Sequence, residues 1–219
     1  MIELKLRYAL WFNERKDYFK VQIMPRFILG SGSKSRLALL RQAGFEPDLV
    51  VSSDIDETPL KKEKPKDYVE RVARTKAEKL HETYFGDVIL CADTTISSSR
   101  HGIGQKCFTD EEIRKSMEEC SGRSIQVLTA VCMINADNKM CQKTIETSIK
   151  FKHLNPIDID DYVASKEGVG CASGIKIEGV LESFIIKIVG NYSSIMGLPL
   201  YHTRNMLISA GIKTKIIGK

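Results

Sequence analysis

The stretch Phe27-Ile28-Leu29-Gly30-Ser31-Gly32-Ser33-Lys34-Ser35-Arg36 decides how this chain is read. Three consecutive apolar residues give a short buried strand, the Gly/Ser run breaks it, and a helix is expected from about Lys34 to Ala43. Gly44 then stands where helices favour glycine, just past the last turn. A turn of small residues between strand and helix lets backbone N–H groups approach an anion. The helix N-terminus adds positive potential, and Arg36 can clamp a phosphate. It is not a Walker P-loop, because the GxxxxGK[ST] spacing is missing. A plain strand-to-helix loop capped by serine fits the same residues equally well.

Downstream the alternation continues. Leu49-Val50-Val51 reads as a second strand, and Pro65 opens a long helix to about Thr83. Val88 to Ala92 is a continuous apolar run, as expected of a strand covered on both faces. Thr109 to Cys120 reads as a helix with a capping box from Thr109 and Glu112. Long strands near Ile125–Asn135 and Met140–Phe151 follow, then a helix from Pro156. A Gly-rich stretch, Gly168 to Gly179, leads to a strand at Ser183–Val189, and Gly197-Leu198-Pro199 opens a final helix to about Ala210. The expected fold class is α/β with a mixed twisted sheet flanked by helices. Upstream, Met1 to Ile23 carries eight charged residues and the only tryptophan, Trp11, and lacks the apolar h-region of a secretory signal. Residues 1–24 are read as an N-terminal extension of unknown role, and residues 25–219 as the domain.

The chain has 219 residues, 42% of them hydrophobic and 28% charged, which places it among globular rather than disordered sequences. No apolar run reaches the ~18 residues needed to cross a bilayer, so no membrane partner is expected. The net charge of +5 suits an anionic substrate and falls far below the dense basic patches of nucleic-acid binders. The six cysteines form no CxxC pair and show no zinc-ligand spacing with histidine. Cys91 and Cys132 sit inside apolar runs, as buried thiols do. Reduced thiols point to a cytoplasmic protein.

Three further features carry chemistry. On a helical wheel, Val69, Val72, Ala73, Ala77 and Leu80 form one stripe, and Lys76 falls in its middle; it either snorkels or aims an ammonium into a cleft. Asp93 directly follows the Val88–Ala92 run, at what reads as the C-terminal end of a strand, where open α/β sheets place their ligand crevice. An N-cap or turn aspartate is the plainer alternative. Asp54, Asp56 and Glu57 follow the previous strand, so a hard-metal site can form with Asp93. Asp54-Ile55-Asp56-Glu57-Thr58 also matches the DxDxT pattern of haloacid-dehalogenase-type phosphatases, in which Asp54 would be phosphorylated, although the apolar strand before it is short and no downstream acidic motif supports it.

Together these pieces resemble the Maf-type nucleoside triphosphate pyrophosphatases. The resemblance runs from about Arg26 to Gly211. It rests on Ser31, Ser33 and Arg36 (SxSxxR), Asp56-Glu57-Thr58-Pro59 (DETP), and Tyr68, Val69, Arg71, Ala73, Lys76 and Ala77 (YVxRxAxxKA). Ala92-Asp93-Thr94 (ADT), Ser121-Gly122-Arg123 (SGR) followed by Val127 and Thr129, and Gly190 with Gly197-Leu198-Pro199-Leu200 complete the series. Six weak motifs in the right order and spacing make a strong one.

The resemblance implies a two-lobed fold with a central cleft, related to inosine triphosphate pyrophosphatases, and a homodimer. It implies hydrolysis of nucleoside triphosphates to the monophosphate and pyrophosphate, removal of non-canonical nucleotides, and a link to restraining cell division. By it, Asp93 is the proton acceptor; Ser31, Ser33, Arg36, Lys76 and Lys106 bind substrate; and Glu57 and Asp93 hold Mg²⁺ or Mn²⁺. Ser35, Thr94 and Glu178 occupy the positions linked to base choice. The chain departs from the pattern at Ser33-Lys34-Ser35-Arg36, where SPRR is commoner, at Gln105-Lys106-Cys107, where Gly-Lys-Pro is usual, and at Glu178, where the dTTP/UTP-cleaving branch has Gln; of that branch's three base-linked residues only Thr94 is retained. Glu178 looks more like the 7-methyl-GTP branch, whereas Thr94 does not. Two alternatives stand beside this reading: a phosphomonoesterase using Asp54, and a non-catalytic, nucleotide-sensing division regulator.

Overall fold

The computed structural model describes residues 25–98 and 102–215; the extension of residues 1–24 lies outside them. Strand β1 (Phe27–Gly30) runs into helix α1 (Lys34–Gln42), whose N-cap Ser33 accepts from the Arg36 N–H through its hydroxyl. Strand β2 (Leu49–Val50), helix α2 (Pro65–Thr83), strand β3 (Val88–Ser98) and the short strand β4 (Gly102–Ile103) follow. Next come α3 (Asp110–Cys120), β5 (Ser124–Ile134), β6 (Met140–Phe151) and α4 (Pro156–Ser165). A 3₁₀ turn (Val180–Phe184), β7 (Ile185–Val189), α5 (Tyr192–Ile195) and α6 (Leu200–Ser209) complete the described chain. The capping boxes on α3 (Thr109 with Glu112) and α4 (Asn155 with Asp158) are both formed, each satisfying donors that a helix start leaves open.

Among the described residues the strands form one mixed sheet, ordered β2-β1-β3-β5-β6-β7, with β4 beside β3. β1 is parallel to both β2 and β3, and the remaining pairs are antiparallel. The apolar runs of β1 and β3 are covered on both faces. Phe27, Leu29, Val88, Leu90 and Ala92 pack beneath α1 and α6 with Leu39, Leu40, Met206 and Leu207. Ile28, Ile89 and Cys91 face α2 through Val69, Ala73, Ala77 and Leu80. Burial on both faces is why these strands read as continuous rather than alternating.

A second core lies at the far end of the long strands. There Ile96, Val127, Ile149 and Phe151 pack with Ile113 and Met117 of α3, Ile159 and Tyr162 of α4, and Ile175, Ile177 and Phe184. Strands β3, β5 and β6 thus run through both cores and join two lobes. The structure corrects two strand boundaries. β3 continues six residues past Ala92, to Ser98, because β5 pairs with it as far as Ser97↔Gln126 and the second core buries Ile96. Ser183 and Phe184 belong to the 3₁₀ turn, not to β7.

Candidate active site

A cleft of about 1130 Å³ opens between the lobes, lined by Ser31, Ser33, Ser35, Arg36, Glu57, Lys76, Asp93, Thr94, Lys106 and Glu178; of the acidic residues after β2 only Glu57 reaches it, and Asp56 does not. Asp54 is exposed and is not among the lining residues.

Asp93 does not sit at a strand end; it is inside β3. The crevice arises because β1 stops first. Its last residue, Gly30, pairs with Cys91, so β3 runs on past the end of its parallel neighbour. A Cβ at Gly30 would lie 2.3 Å from Cys91 Sγ and 2.5 Å from Leu80 Cδ1, so any larger residue would force both buried side chains to shift. Asp93 is 6% exposed and Lys76 7%. The Lys76 ammonium lies 2.8 Å from Asp93 Oδ1 and 2.9 Å from Glu57 Oε1, so two carboxylates share one cation. Burial raises the Asp93 pKa above the ordinary carboxylate value, against the pull of Lys76 and Arg36. Burial also pushes Glu57 upward, but its bond to Lys76 and the charges of Lys106 and Arg36 outweigh it and hold Glu57 below its usual value. One carboxylate is therefore driven toward the proton-accepting range and its neighbour is held ionised, the divergence that marks acid–base sites.

Arg36 projects from the first turn of α1. Its Nε donates to the Gly197 carbonyl at 2.8 Å, and Nη1 and Nη2 make longer bonds, 3.3 and 3.4 Å, to the Ser31 and Thr94 hydroxyls. Of the five guanidinium N–H groups this leaves one on each terminal nitrogen, the fork that suits a phosphate. Gly197 adopts φ +98°, and a Cβ there would approach Arg36 Nε to 3.1 Å. Behind Arg36 runs a chain of buried hydroxyls. The Thr129 hydroxyl donates to the Ser194 carbonyl at 2.7 Å. Its one proton is thereby committed, so Thr94 must be the donor in the 3.0 Å Thr94–Thr129 contact, which frees the Thr94 lone pairs for Arg36. Thr147 joins the chain at 2.8 Å from the Ser194 hydroxyl.

The opposite wall comes from the Gly-rich stretch. The Gln105–Cys107 segment is zipped to Gly170–Ser173 by Cys107 N–H to Cys171 O (3.1 Å), Gly170 N–H to Cys107 O (2.7 Å) and Ser173 N–H to Gln105 O (2.7 Å), which holds the exposed Lys106 at the rim. The buried Tyr162 hydroxyl donates to the Gly174 carbonyl (2.7 Å) and accepts from the Lys176 N–H (3.1 Å), pinning the loop that carries Glu178. Glu167 lines the cleft and accepts from the Val180 N–H at 3.0 Å. Tyr68 also lines the cleft; burial, with Asp93 and Glu57 nearby, pushes its phenol up to about 12. The sequence reading named Tyr68 only as a motif residue, with no role in the site, and missed Glu167, Lys176 and Ser194. Thr129 had a usable signal, a hydroxyl inside the apolar run Val127-Leu128-Thr129-Ala130-Val131. All six cysteines are free, with Cys91, Cys107, Cys120 and Cys132 buried.

The profile of the family described as Maf-like protein matches residues 26–210. The chain belongs to this family. It is 43% identical over 193 residues to the dTTP/UTP pyrophosphatase of Rhodopseudomonas palustris (strain HaA2), covering 85% of this chain and 93% of that one. It is 45% identical over 184 residues to the dTTP/UTP pyrophosphatase of Zymomonas mobilis, covering 84% and 91%. A HAM1 protein from Coxiella burnetii, a solved structure, matches at 20% identity and a TM-score of 0.45, covering 85% of this chain and all of that one. Most of the Maf-like motifs contribute to this cleft: the Ser31–Arg36 turn from β1–α1, Glu57, Lys76 from α2, Asp93-Thr94 from β3 and Gly197 from the α5–α6 loop line it, whereas Ser121-Gly122-Arg123 and Gly190 do not.

Proposed function

We propose that this Maf-like chain, through its residue 25–219 domain, hydrolyses nucleoside triphosphates between the α and β phosphates, giving the monophosphate and pyrophosphate. The observation that carries this is the Glu57–Lys76–Asp93 cluster, with Lys76 and Asp93 buried and Glu57 partly open to solvent, lining the same cleft as the half-open Arg36 guanidinium. Asp93 takes a proton from the attacking water, for which its raised pKa suits it better than an ordinary aspartate. Arg36, Lys76 and Lys106 offer cationic donors to the triphosphate oxygens, with Ser31 and Ser33 at the helix start beside them. The names of the relatives favour pyrimidine triphosphates, with Ser35, Thr94 and Glu178 on the walls where a base would be read.

Glu57 and Asp93 would hold a divalent cation. Among the described residues no third His, Cys, Asp or Glu joins them. Two carboxylates with room for water and phosphate oxygens are the donor set that Mg²⁺ takes, and Mn²⁺ accepts the same hard oxygens. When bound, the cation neutralises phosphate charge and polarises the bond to be cut. By likeness to the family we also take the enzyme to be a cytoplasmic homodimer that cleans the nucleotide pool, with a link to division control.

The test is pyrophosphate release from dTTP, UTP, CTP, GTP and 7-methyl-GTP with Mg²⁺, Mn²⁺ or chelator, beside Asp93→Asn. Metal-dependent pyrophosphate that vanishes in the variant is expected. Orthophosphate as the first product, or nucleotide binding without turnover in the wild type, would overturn the proposal in favour of the phosphatase or the sensor.

A further inference from the structure

Glu57 lies in a part of the chain that has no strand or helix, residues 51–60, yet the cluster needs its carboxylate at a defined place. The loop makes bonds within itself: Thr58 N–H to Asp56 Oδ1, and Leu60 N–H to Glu63 Oε2. What reaches from it to the scaffold at this point is Arg71 of α2. Its Nε and Nη2 grip the two Glu63 oxygens at 2.6 and 2.8 Å, and Nη2 also donates to the Thr58 carbonyl, one residue from Glu57, at 3.1 Å. The guanidinium further lies 5.6 Å from the centre of the Tyr68 ring, which lines the cleft. The Glu63 side chain is 7% exposed and that of Arg71 28%, so this bidentate pair is better shielded than a surface ion pair. Neither residue lines the cleft itself.

We infer that Arg71, clamped to Glu63, is a positioning residue that sets the Glu57 carboxylate against Lys76 and Asp93. α2 carries both anchors, Arg71 for the loop backbone and Lys76 for the carboxylate. They stand five residues apart on one rigid helix, about 7.5 Å along its axis. The distance from Glu57 to Asp93 is then referred to a single body. A loop freed from Arg71 keeps Glu57 in the sequence but surrenders its preorganisation. The loss falls on cation affinity rather than on the phosphate contacts of Arg36 and Lys106, which stand on other elements. This inference rests on the reading that Glu57 and Asp93 hold the cation.

The experiment measures Mn²⁺ binding by electron paramagnetic resonance, with a UTP analogue whose α–β bridging oxygen is a methylene. Pyrophosphate release against Mn²⁺ concentration is followed in parallel. Wild type, Arg71→Ala, Arg71→Lys, Glu63→Gln and the Arg71→Ala/Glu63→Gln double variant are compared. Expected is a weakening of Mn²⁺ affinity by about tenfold or more in Arg71→Ala and Glu63→Gln, the size typical of residues that orient metal ligands. The kcat at saturating Mn²⁺ should stay close to wild type. The double variant should be no worse than either single, because the two act as one unit, and Arg71→Lys, with the charge but not the fork, should fall between. Unchanged Mn²⁺ affinity in folded variants, or a double variant that loses the sum of the singles, would overturn the inference. If Arg71→Ala does not fold, by circular dichroism, Arg71→Lys and Glu63→Gln decide it. Wild type that binds Mn²⁺ without releasing pyrophosphate sinks the proposed reaction and leaves the positioning role to the binding data; wild type that binds no Mn²⁺ overturns both.

Discussion

Lys76 is the residue on which Glu57 and Asp93 meet, and the upward displacement of Asp93 makes a pH prediction. Asp93 is protonated more readily in the folded protein than in the unfolded chain, where its pKa is about 3.9. Its contribution to stability is therefore fully present below that unfolded value and is lost as pH rises through the raised folded value. Thermal melts between about pH 4 and pH 8 should show this component in the wild type, and Asp93→Asn should flatten it. The sign for activity is opposite, since the base form of Asp93 appears only above the raised value. A bound cation draws that value back down, so the acidic limb of kcat/KM should move to higher pH as Mn²⁺ is lowered. A limb that does not move with Mn²⁺ concentration would show that another group is the base. Asp54, exposed and off the cleft, should tolerate replacement: Asp54→Asn is expected to keep wild-type pyrophosphate release, and its loss would revive the phosphatase reading.

At the scale of elements, the decisive event is that β1 ends where β3 does not. The last residue of β1, Gly30, packs where a Cβ would press on the Cys91 and Leu80 side chains. Gly30→Ala should cost about 1–3 kcal/mol, the range for overpacked cores, read as a lower denaturant midpoint at unchanged slope. The hydroxyl chain that ties β3, β5 and α5 together behind Arg36 makes a second case. Thr129→Val keeps the shape but leaves the Ser194 carbonyl without its 2.7 Å donor and frees the Thr94 proton. We expect a loss of about 1–3 kcal/mol and a raised KM for the triphosphate, as Arg36 loses a fixed partner. A KM equal to wild type would show that Gly197 and Ser31 hold Arg36 unaided. The same comparison explains why Asp93 was read as lying at a strand end. Asp93-Thr94-Thr95 looks like a polar stop in one dimension. Pairing of Thr94 with Thr129 and Thr95 with Leu128 across β5, together with a core on the far side that buries Ile96, makes it strand interior.

At the scale of the whole molecule, the cleft exists because three long strands pass through two cores, and its walls are drawn from β1–α1, α2, β3, the Gln105–Cys107 segment and the Gly168–Gly179 stretch. Removing the divalent cation with chelator is expected to abolish turnover while leaving far-ultraviolet circular dichroism unchanged, because the cores do not depend on the cation. Unfolding under chelator would show that Glu57 and Asp93 serve the fold instead.

What the sequence determined by itself was local and ordered along the chain. Apolar runs covered on both faces, the capping box at Thr109, and glycines at turns all act over a few residues, so the α/β alternation and the bounds of α2 and β6 could be read directly. The motif residues were readable for the same reason, since each lies on a short stretch whose chemistry does not depend on distant neighbours. Only the tertiary structure decided which of them meet. The Lys76–Asp93 and Lys76–Glu57 bonds, the grip of Arg36 on Gly197 across 161 residues, and the ladder from Gln105–Cys107 to Gly170–Ser173 join positions far apart in the chain. The burial that displaces the Asp93 pKa is likewise a property of what packs around it. Pattern along a chain reports the periodicity of one element; the field and geometry of a site come from several elements at once, and those are set only when the two lobes fold onto the strands they share.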